Sequence, residues 1–380
     1  MLDSEQILYG LLRDAIGRSL DSIQLEDVDW VSVWQLAKRQ GVSMMAGDGV
    51  TQWVSRGSVV VEETVSSPSA MIDESLYLTW VGQTMSQETK TWKHLALLKE
   101  FSKRCHEQGV LVYVLKGLAF ALNYPIPQHR GCGDIDVFLL GDPNFDGVKV
   151  EDQRAYEIGN EVAEAMGAQV DADWYKHSQI HFGEVMMENH AYLVCTREGK
   201  LSKSFNQYLI DILKQPGVRR KLPQTETLIP PTQFNALFMM SHSLSHFVEE
   251  GINLRHVLDW ATFLQKESGY LDWSQFYADC EQYHLKRFVD VMSDIVVNHL
   301  GIEVSHPIIN THSPYTGKVL HSILYDDAKV FGTEGSSWNH RLRIVKNIFR
   351  YRWKYSEIYE MSPMRYLWCL IKGFIMHTEK

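Results

Sequence analysis

The chain is poor in cysteine. Five occur in 380 residues (Cys105, Cys132, Cys195, Cys280 and Cys369), odd in number, widely spaced and without a C-x-x-C pair. That spacing argues against a disulfide framework and a zinc ribbon, and the thiols fit a reducing cytoplasm. No apolar run reaches about 18 residues, so no transmembrane helix is expected. The start, MLDSEQILYGLLRDAIG, carries Asp3 and Glu5 where a secretory leader has a basic region before an apolar stretch, so no signal peptide is expected. A basic excess is also missing: the net charge is −10 with histidine neutral. Nucleic acid is therefore not an expected partner, although an acidic protein can still bind a nucleotide at a local site. Neither G-x-x-x-x-G-K-[ST] nor G-x-S-x-G occurs, which speaks against a Walker-type ATPase and a serine hydrolase.

Core-forming material is plentiful. Hydrophobic residues make up 45%, with 11 Trp and 17 Tyr, which rules out whole-chain disorder. The length predicts two or three modules of about 150 residues each. Periodicity changes along the chain and suggests where they lie. Residues 1–108 read as helical: Ile7, Leu8, Leu11, Leu12 and Ile16 recur at helical spacing, and Asp27 or Asp29 is placed to cap a helix over 30–40. Residues 57–70 are a loop or a short strand pair, and a long helix is predicted from about Asp73 to Glu107, stopped by Gly109. Residues 109–215 change to strand patterns. VLVYVL at 110–115 is a continuous apolar run of the buried-strand kind; a short helix over 118–123 and a strand over 134–140 follow. A helix over 151–166 and a hairpin of strands near 174–182 and 185–194, turning at Gly183, complete that region. Residues 216–380 are helical again, with helices expected over 234–249, 253–266, 273–283 and 285–300. The fold class expected is α+β: a small mixed sheet flanked by N-terminal helices and a C-terminal helical domain.

The chemistry concentrates in LKGLAFALNYPIPQHRGCGDIDVFLL, residues 115–140. On a strand, Asp134 and Asp136 face the same side, about 6–7 Å apart at the backbone, with Ile135 and Val137 turned to the core. Two ionised carboxylates on one face repel unless a cation lies between them. Mg²⁺ is a hard ion that takes oxygen ligands and shares them with substrate phosphates. Lys116-Gly117 closes the preceding strand: glycine permits close backbone approach, free N–H groups at a helix start hold phosphate oxygens, and Lys116 adds charge. Arg130 is a second phosphate clamp on this reading, or an ordinary loop arginine. On the strand over 185–194, Glu188 and His190 share a face, so Glu188 is the third carboxylate, as metal ligand or base, with Glu184 its rival. Together these residues suggest metal-assisted phosphoryl or nucleotidyl transfer. A D-x-D pair alone also occurs as a solvated strand edge, and Glu188 alone reads equally as a solvated strand residue.

This run resembles the nucleotidyltransferase superfamily of DNA polymerase β type, and within it a branch of uncharacterised bacterial nucleotidyltransferases. The elements fall in order: Lys116-Gly117, the Ala/Leu-rich 118–122, Tyr124-Pro125, Arg130 and Gly133-Asp134-Ile135-Asp136, then Glu188-Asn189-His190. His242, His246, Arg255 and Asp259 match a downstream helical pattern of the branch. The resemblance covers about residues 90–265. In the wider superfamily Ser or Gly follows the glycine; here Leu118 does, so a serine contact to phosphate is absent, and the Tyr124–Cys132 loop lengthens the spacing to the acidic pair. The resemblance implies an Mg²⁺- or Mn²⁺-dependent enzyme. It would move a nucleoside monophosphate from a nucleoside triphosphate such as ATP to an acceptor hydroxyl, releasing pyrophosphate. Asp134, Asp136 and Glu188 would be catalytic and metal-ligating, Lys116, Gly117 and Arg130 would bind the nucleotide, and His190 and His242 would touch substrate. The acceptor, small molecule or protein, is left open. A non-catalytic nucleotide-binding scaffold on the same fold and a protein-modifying nucleotidyltransferase are the alternatives.

His242 and His246 share a helical face, but HExxH is absent, so a packing or substrate-facing wall is preferred to zinc. His177 and His181 share a strand face that lines the cleft beside Glu188 or forms polar surface. In the tail, Arg341, Arg343, Lys346, Arg350, Arg352 and Lys354 lie among Trp338, Phe349, Tyr351, Trp353 and Tyr355. The preferred reading is a helix that buries its aromatics and shows its cations to water, over one that binds nucleic acid or a membrane surface.

Overall fold

The computed structural model describes residues 3–18, 28–62, 71–172, 175–194, 199–217, 219–304, 312–326 and 345–377. Three helices open it: α1 (Ser4–Ala15), α2 (Trp30–Arg39) and α3 (Ser43–Ser55). Ile7, Leu8, Leu11 and Leu12 of α1 are buried, as their spacing predicts. Asp29 caps α2 by accepting from the Ser32 backbone N–H. The 57–70 stretch contains part of a short parallel pair, β1 (Val60–Glu62) with β2 (Met71–Asp73). Helix α4 (Glu74–His106) starts on an Asp73 cap, and Gly109, at φ 75°, turns the chain into β3 (Val110–Leu115), buried throughout.

The chain then alternates through α5 (Lys116–Ala121), β4 (Ile135–Gly141), α6 (Asp152–Ala165), β5 (Gln169–Asp171), β6 (His177–Phe182), β7 (Val185–His190) and α7 (Lys200–Lys214). Two short strands, β8 (Arg220–Lys221) and β9 (Leu228–Ile229), precede α8 (Thr232–Glu249), α9 (Leu254–Glu267), α10 (Trp273–Gln282), α11 (Lys286–Leu300), α12 (Thr316–Tyr325) and α13 (Pro363–His377). A seven-stranded sheet forms in the order β5-β6-β7-β4-β3-β9-β8. It is mixed: β4 pairs with β7, and β3 with β9, in parallel, while the other neighbours are antiparallel. The fold is thus α+β with a mixed sheet between helical regions, as the periodicity predicts. Strands β5, β8 and β9 and helices α3, α7 and α12 are additions to the sequence reading.

The two faces of the sheet have different tasks. On one, Ile135, Val137, Met187 and Ile180 are buried and α6 packs close. Gly159 permits that approach, since a Cβ there would lie 2.6 Å from Leu139 Cδ2. Asn189 turns to the same side and donates to the Tyr156 carbonyl and the Asn160 side chain, 2.9 Å each. Strand alternation therefore sends Asp136, Glu188 and His190 to the opposite face. Tyr113 of β3 shares that face, and its hydroxyl donates to the Leu213 carbonyl of α7. Gln40, buried at the end of α2, donates to the Ile323 carbonyl and accepts from the Leu254 N–H, both at 3.0 Å, so one side chain joins α2, α9 and α12.

Candidate active site

The centre of the site is a consequence of register. Parallel pairing of β4 with β7 sets Asp136 directly beside Glu188, and Phe138 beside His190. Antiparallel pairing of β6 with β7 then sets His177 opposite His190. Asp134 lies just before β4, and its carboxylate, with those of Asp136 and Glu188, forms a group whose oxygens lie within 4.8 Å of one another. Glu184, the rival third acid, is elsewhere: its side chain is 95% exposed in the hairpin turn and lies 3.9 Å from Lys93.

Lys116 supplies the positive charge. Its Nζ lies 2.6 Å from Asp136 Oδ1 and 3.9 Å from Glu188 Oε2. Its backbone has φ 43°, the left-handed region a lysine rarely adopts. Such a conformation costs about 1–3 kcal/mol and is found where a side chain must be aimed. Burial opposes the Lys116 charge, but Asp136 and Glu188 outweigh it and raise its pKa. Asp136 is buried, which would push its pKa up; the Lys116 ammonium and the His190 hydrogen bond outweigh that and hold it well below the usual carboxylate range. Asp134 goes the other way. Burial and the neighbouring Asp136 raise its carboxyl to about 6.

Three carboxylates beside one ammonium leave excess negative charge, and Asp134 has no side-chain bond from another described residue. Hard oxygen donors, converged and under mutual repulsion, fit a divalent cation of the Mg²⁺ type.

His190 Nε2 is 2.9 Å from Asp136 Oδ1 and 3.4 Å from Glu188 Oε2. Its ring is almost wholly buried, so it grips the acids from behind. His177 Nε2 approaches Glu188 Oε1 at 3.4 Å, while His181 is exposed near the hairpin end. His242 lies on α8, stacked on Phe238 with His246 edge-on at 4.4 Å. Burial pushes its pKa well down, and the Lys116 charge adds to that.

Arg130 and Gly117, expected to handle phosphates, have protein partners of their own. Arg130 is 7% exposed and forms a two-pronged bridge with Asp259 of α9: Nε donates to Oδ1 at 2.9 Å and Nη2 to Oδ2 at 2.7 Å. The Tyr124 hydroxyl donates to the same carboxylate at 2.8 Å. A fork so engaged ties the loop to α9. A Cβ on Gly117 would meet Cys132 Sγ at 3.0 Å and Arg130 Nη1 at 3.4 Å. The glycine therefore admits the 130–132 loop beneath the corner. Asp259 is the residue whose role the sequence reading left unassigned; its signal was an acid one helical turn after Arg255.

A depression of about 660 Å³, lined by Phe145, Val148, Lys149 and Arg154 among others, opens past the far end of β4 from Asp136. The titratable cluster, not that depression, is the candidate site. Cys105, Cys132, Cys280 and Cys369 are buried free thiols. Cys195, Trp338, Arg341 and Arg343 lie outside the described residues. No described helix is long and apolar enough to cross a membrane.

No curated protein matches the chain. Among solved structures, an antigenic nucleotidyltransferase-like protein from Paracoccidioides brasiliensis aligns at 10% identity over 57% of this chain and 96% of that one, with a TM-score of 0.35, too low to bear on the argument. The sequence carries the assignment instead. The family model described as "Uncharacterised nucleotidyltransferase" matches residues 26–301, which is well over half of the chain and includes every residue of the acidic site. The chain belongs to that family of nucleotidyltransferases.

Proposed function

We propose that the protein moves a nucleoside monophosphate from a nucleoside triphosphate to an acceptor hydroxyl, in a reaction that requires Mg²⁺ or Mn²⁺ and releases pyrophosphate. The single observation that carries this reading is the convergence of Asp134, Asp136 and Glu188 within 4.8 Å beside the Lys116 ammonium. The three acids would hold the cations, which when bound neutralise the triphosphate and stabilise the entering and departing oxygens. The chain's own residues do the positioning. Lys116, aimed by its left-handed backbone, offers a charge that Asp136 holds in the free protein and that a phosphate oxygen can take over. Gly117 keeps that corner low over Cys132, and Arg130 holds the corner to α9 from behind. His190 fixes the orientation of Asp136, and His242 on α8 forms part of the wall on the acceptor side. Most of the catalytic effect would then be orientation and electrostatics, as in phosphoryl transfer generally.

The test is calorimetric titration with ATP, CTP, GTP and UTP in the presence of Mg²⁺. Metal-dependent binding of one of them that Asp134→Asn abolishes is expected. Binding that is indifferent to Mg²⁺ and to the substitution would leave a non-catalytic scaffold. A second experiment supplies a nucleotide labelled at the α-phosphate to cell lysate with the protein. Label in small metabolites supports the hydroxyl acceptor, and label in protein bands supports modification of proteins.

A further inference from the structure

We propose that His177, His190 and Glu188 form a second cation site beside the all-oxygen cluster, one that selects a first-row transition-metal dication of the zinc or cobalt class. The three side chains offer two imidazole nitrogens and a carboxylate within 4.8 Å of one another. Such a set suits zinc and cobalt, whereas Mg²⁺ takes oxygens. His177 Nε2 lies 3.4 Å from Glu188 Oε1 and His190 Nε2 lies 3.4 Å from Glu188 Oε2, so the two imidazoles face the two oxygens of one carboxylate. As hydrogen bonds these contacts are long.

The strands hold the set in place. His177 and His190 are directly opposed on β6 and β7, with ring centroids 5.2 Å apart, and Glu188 precedes His190 by two residues on the same face. His190 Nδ1 faces the Tyr192 carbonyl at 3.4 Å. In the metal-free protein Nε2 contacts Asp136 Oδ1 at 2.9 Å; when it takes the ion it gives that contact up, and the ring proton resides on Nδ1 and points at the Tyr192 carbonyl, the outer contact that orients a ligating imidazole. Excess negative charge from Asp134, Asp136 and Glu188 over Lys116 favours a dication here. Three protein ligands leave a position open to water or to a substrate oxygen. The site shares Glu188 with the carboxylate cluster but does not depend on nucleotide transfer.

The test uses the full chain, stripped of metal and titrated with Co²⁺. X-ray absorption of the cobalt-loaded wild type should show two imidazoles in the shell, a reading that requires no variant. His177→Gln should weaken Co²⁺ binding about tenfold or more, since even outer-shell changes cost that much. Its Mg²⁺ affinity should stay within about twofold. An all-oxygen shell, or Co²⁺ affinity equal in wild type and His177→Gln, overturns the proposal. Nucleotide transfer failing while the two-imidazole signature persists would refute the transfer reading and leave this site standing.

Discussion

The Lys116 ammonium lies 2.6 Å from the Asp136 carboxylate, joining the corner after β3 to the start of β4. Both groups are buried or nearly so, and Asp136 also receives His190. Breaking a buried pair by removing one partner costs about 3–5 kcal/mol, because the other charge remains uncompensated. Lys116→Met should therefore lower the free energy of unfolding of the metal-free protein by about that much, measured by denaturant titration at pH 7. Its effect on Mg²⁺ affinity should have the opposite sign, since a positive charge leaves the cluster. Unchanged stability would mean that Lys116 is not held by the acids.

Asp134→Asn separates stability from function. The Asp134 carboxyl is raised to about 6 by burial and by Asp136, so its ionised form is disfavoured in the folded state. That penalty is absent below the ordinary carboxylate range near pH 4 and complete above about pH 6. The substitution should thus stabilise the metal-free protein at pH 7 by up to about 3 kcal/mol, because a neutral amide carries no such penalty. Transfer should fall by about a hundredfold or more, since a lost metal ligand removes several kcal/mol of transition-state stabilisation and each 1.4 kcal/mol is tenfold. A variant that is less stable at neutral pH would contradict the electrostatic account.

The acidic site was legible because its parts are local and periodic. Asp134 and Asp136 are two residues apart, and Glu188 and His190 repeat that spacing, so strand alternation alone gave their facing. What joined the two pairs was the parallel register of β4 with β7, a pairing across more than fifty residues that no local pattern encodes. The same register sets Glu188 beside the aspartate pair, while Glu184 lies exposed in the hairpin turn. The protein partners of Arg130 and Gly117 are hidden in the sequence for a related reason. Their partners, Asp259 and Cys132, are set by tertiary packing, and a lone arginine looks the same in sequence whether it meets a phosphate or a buried carboxylate. Strands β8 and β9 are too short for a period to register. Helix α3, whose apolar residues are interrupted by Gly47, Asp48 and Gly49, gives a blurred helical signal.

The Arg130–Asp259 bridge gives a prediction that discriminates strut from clamp. Asp259 is buried, which alone would raise its pKa, but Arg130 lowers it; the bridge's stabilisation is present at neutral pH and lost as pH falls through that lowered value. Arg130→Met alone leaves Asp259 uncompensated and should cost about 3–5 kcal/mol. The double variant Arg130→Met/Asp259→Leu should recover most of that loss, since buried pairs are commonly replaceable by apolar residues. Nucleotide affinity of the double variant, measured by calorimetry, should remain within a few-fold of wild type. A loss of triphosphate binding with the fold intact would restore Arg130 as a phosphate ligand.

His129 predicts an alkaline weakness at the base of the same loop. Its Nδ1 lies 2.8 Å from the Asp48 carboxylate of α3, and its Nε2 lies 3.0 Å from Glu88 of α4. Burial opposes a charge on the ring, but the two carboxylates outweigh it and raise the pKa. A raised folded-state pKa contributes stability that is fully present below the unfolded value near 6.5 and is lost as pH rises through the folded value. Unfolding free energy should therefore decline above about pH 6.5, at up to about 1.4 kcal/mol per pH unit from this group. His129→Gln removes the proton, so the stability difference between wild type and variant should narrow with rising pH. Because His129 immediately precedes Arg130 and Gly131, hydrogen exchange at 130–132 should quicken over the same range in the wild type. Parallel stability curves for the two proteins across that range would show that the imidazole is not charged between its two acids.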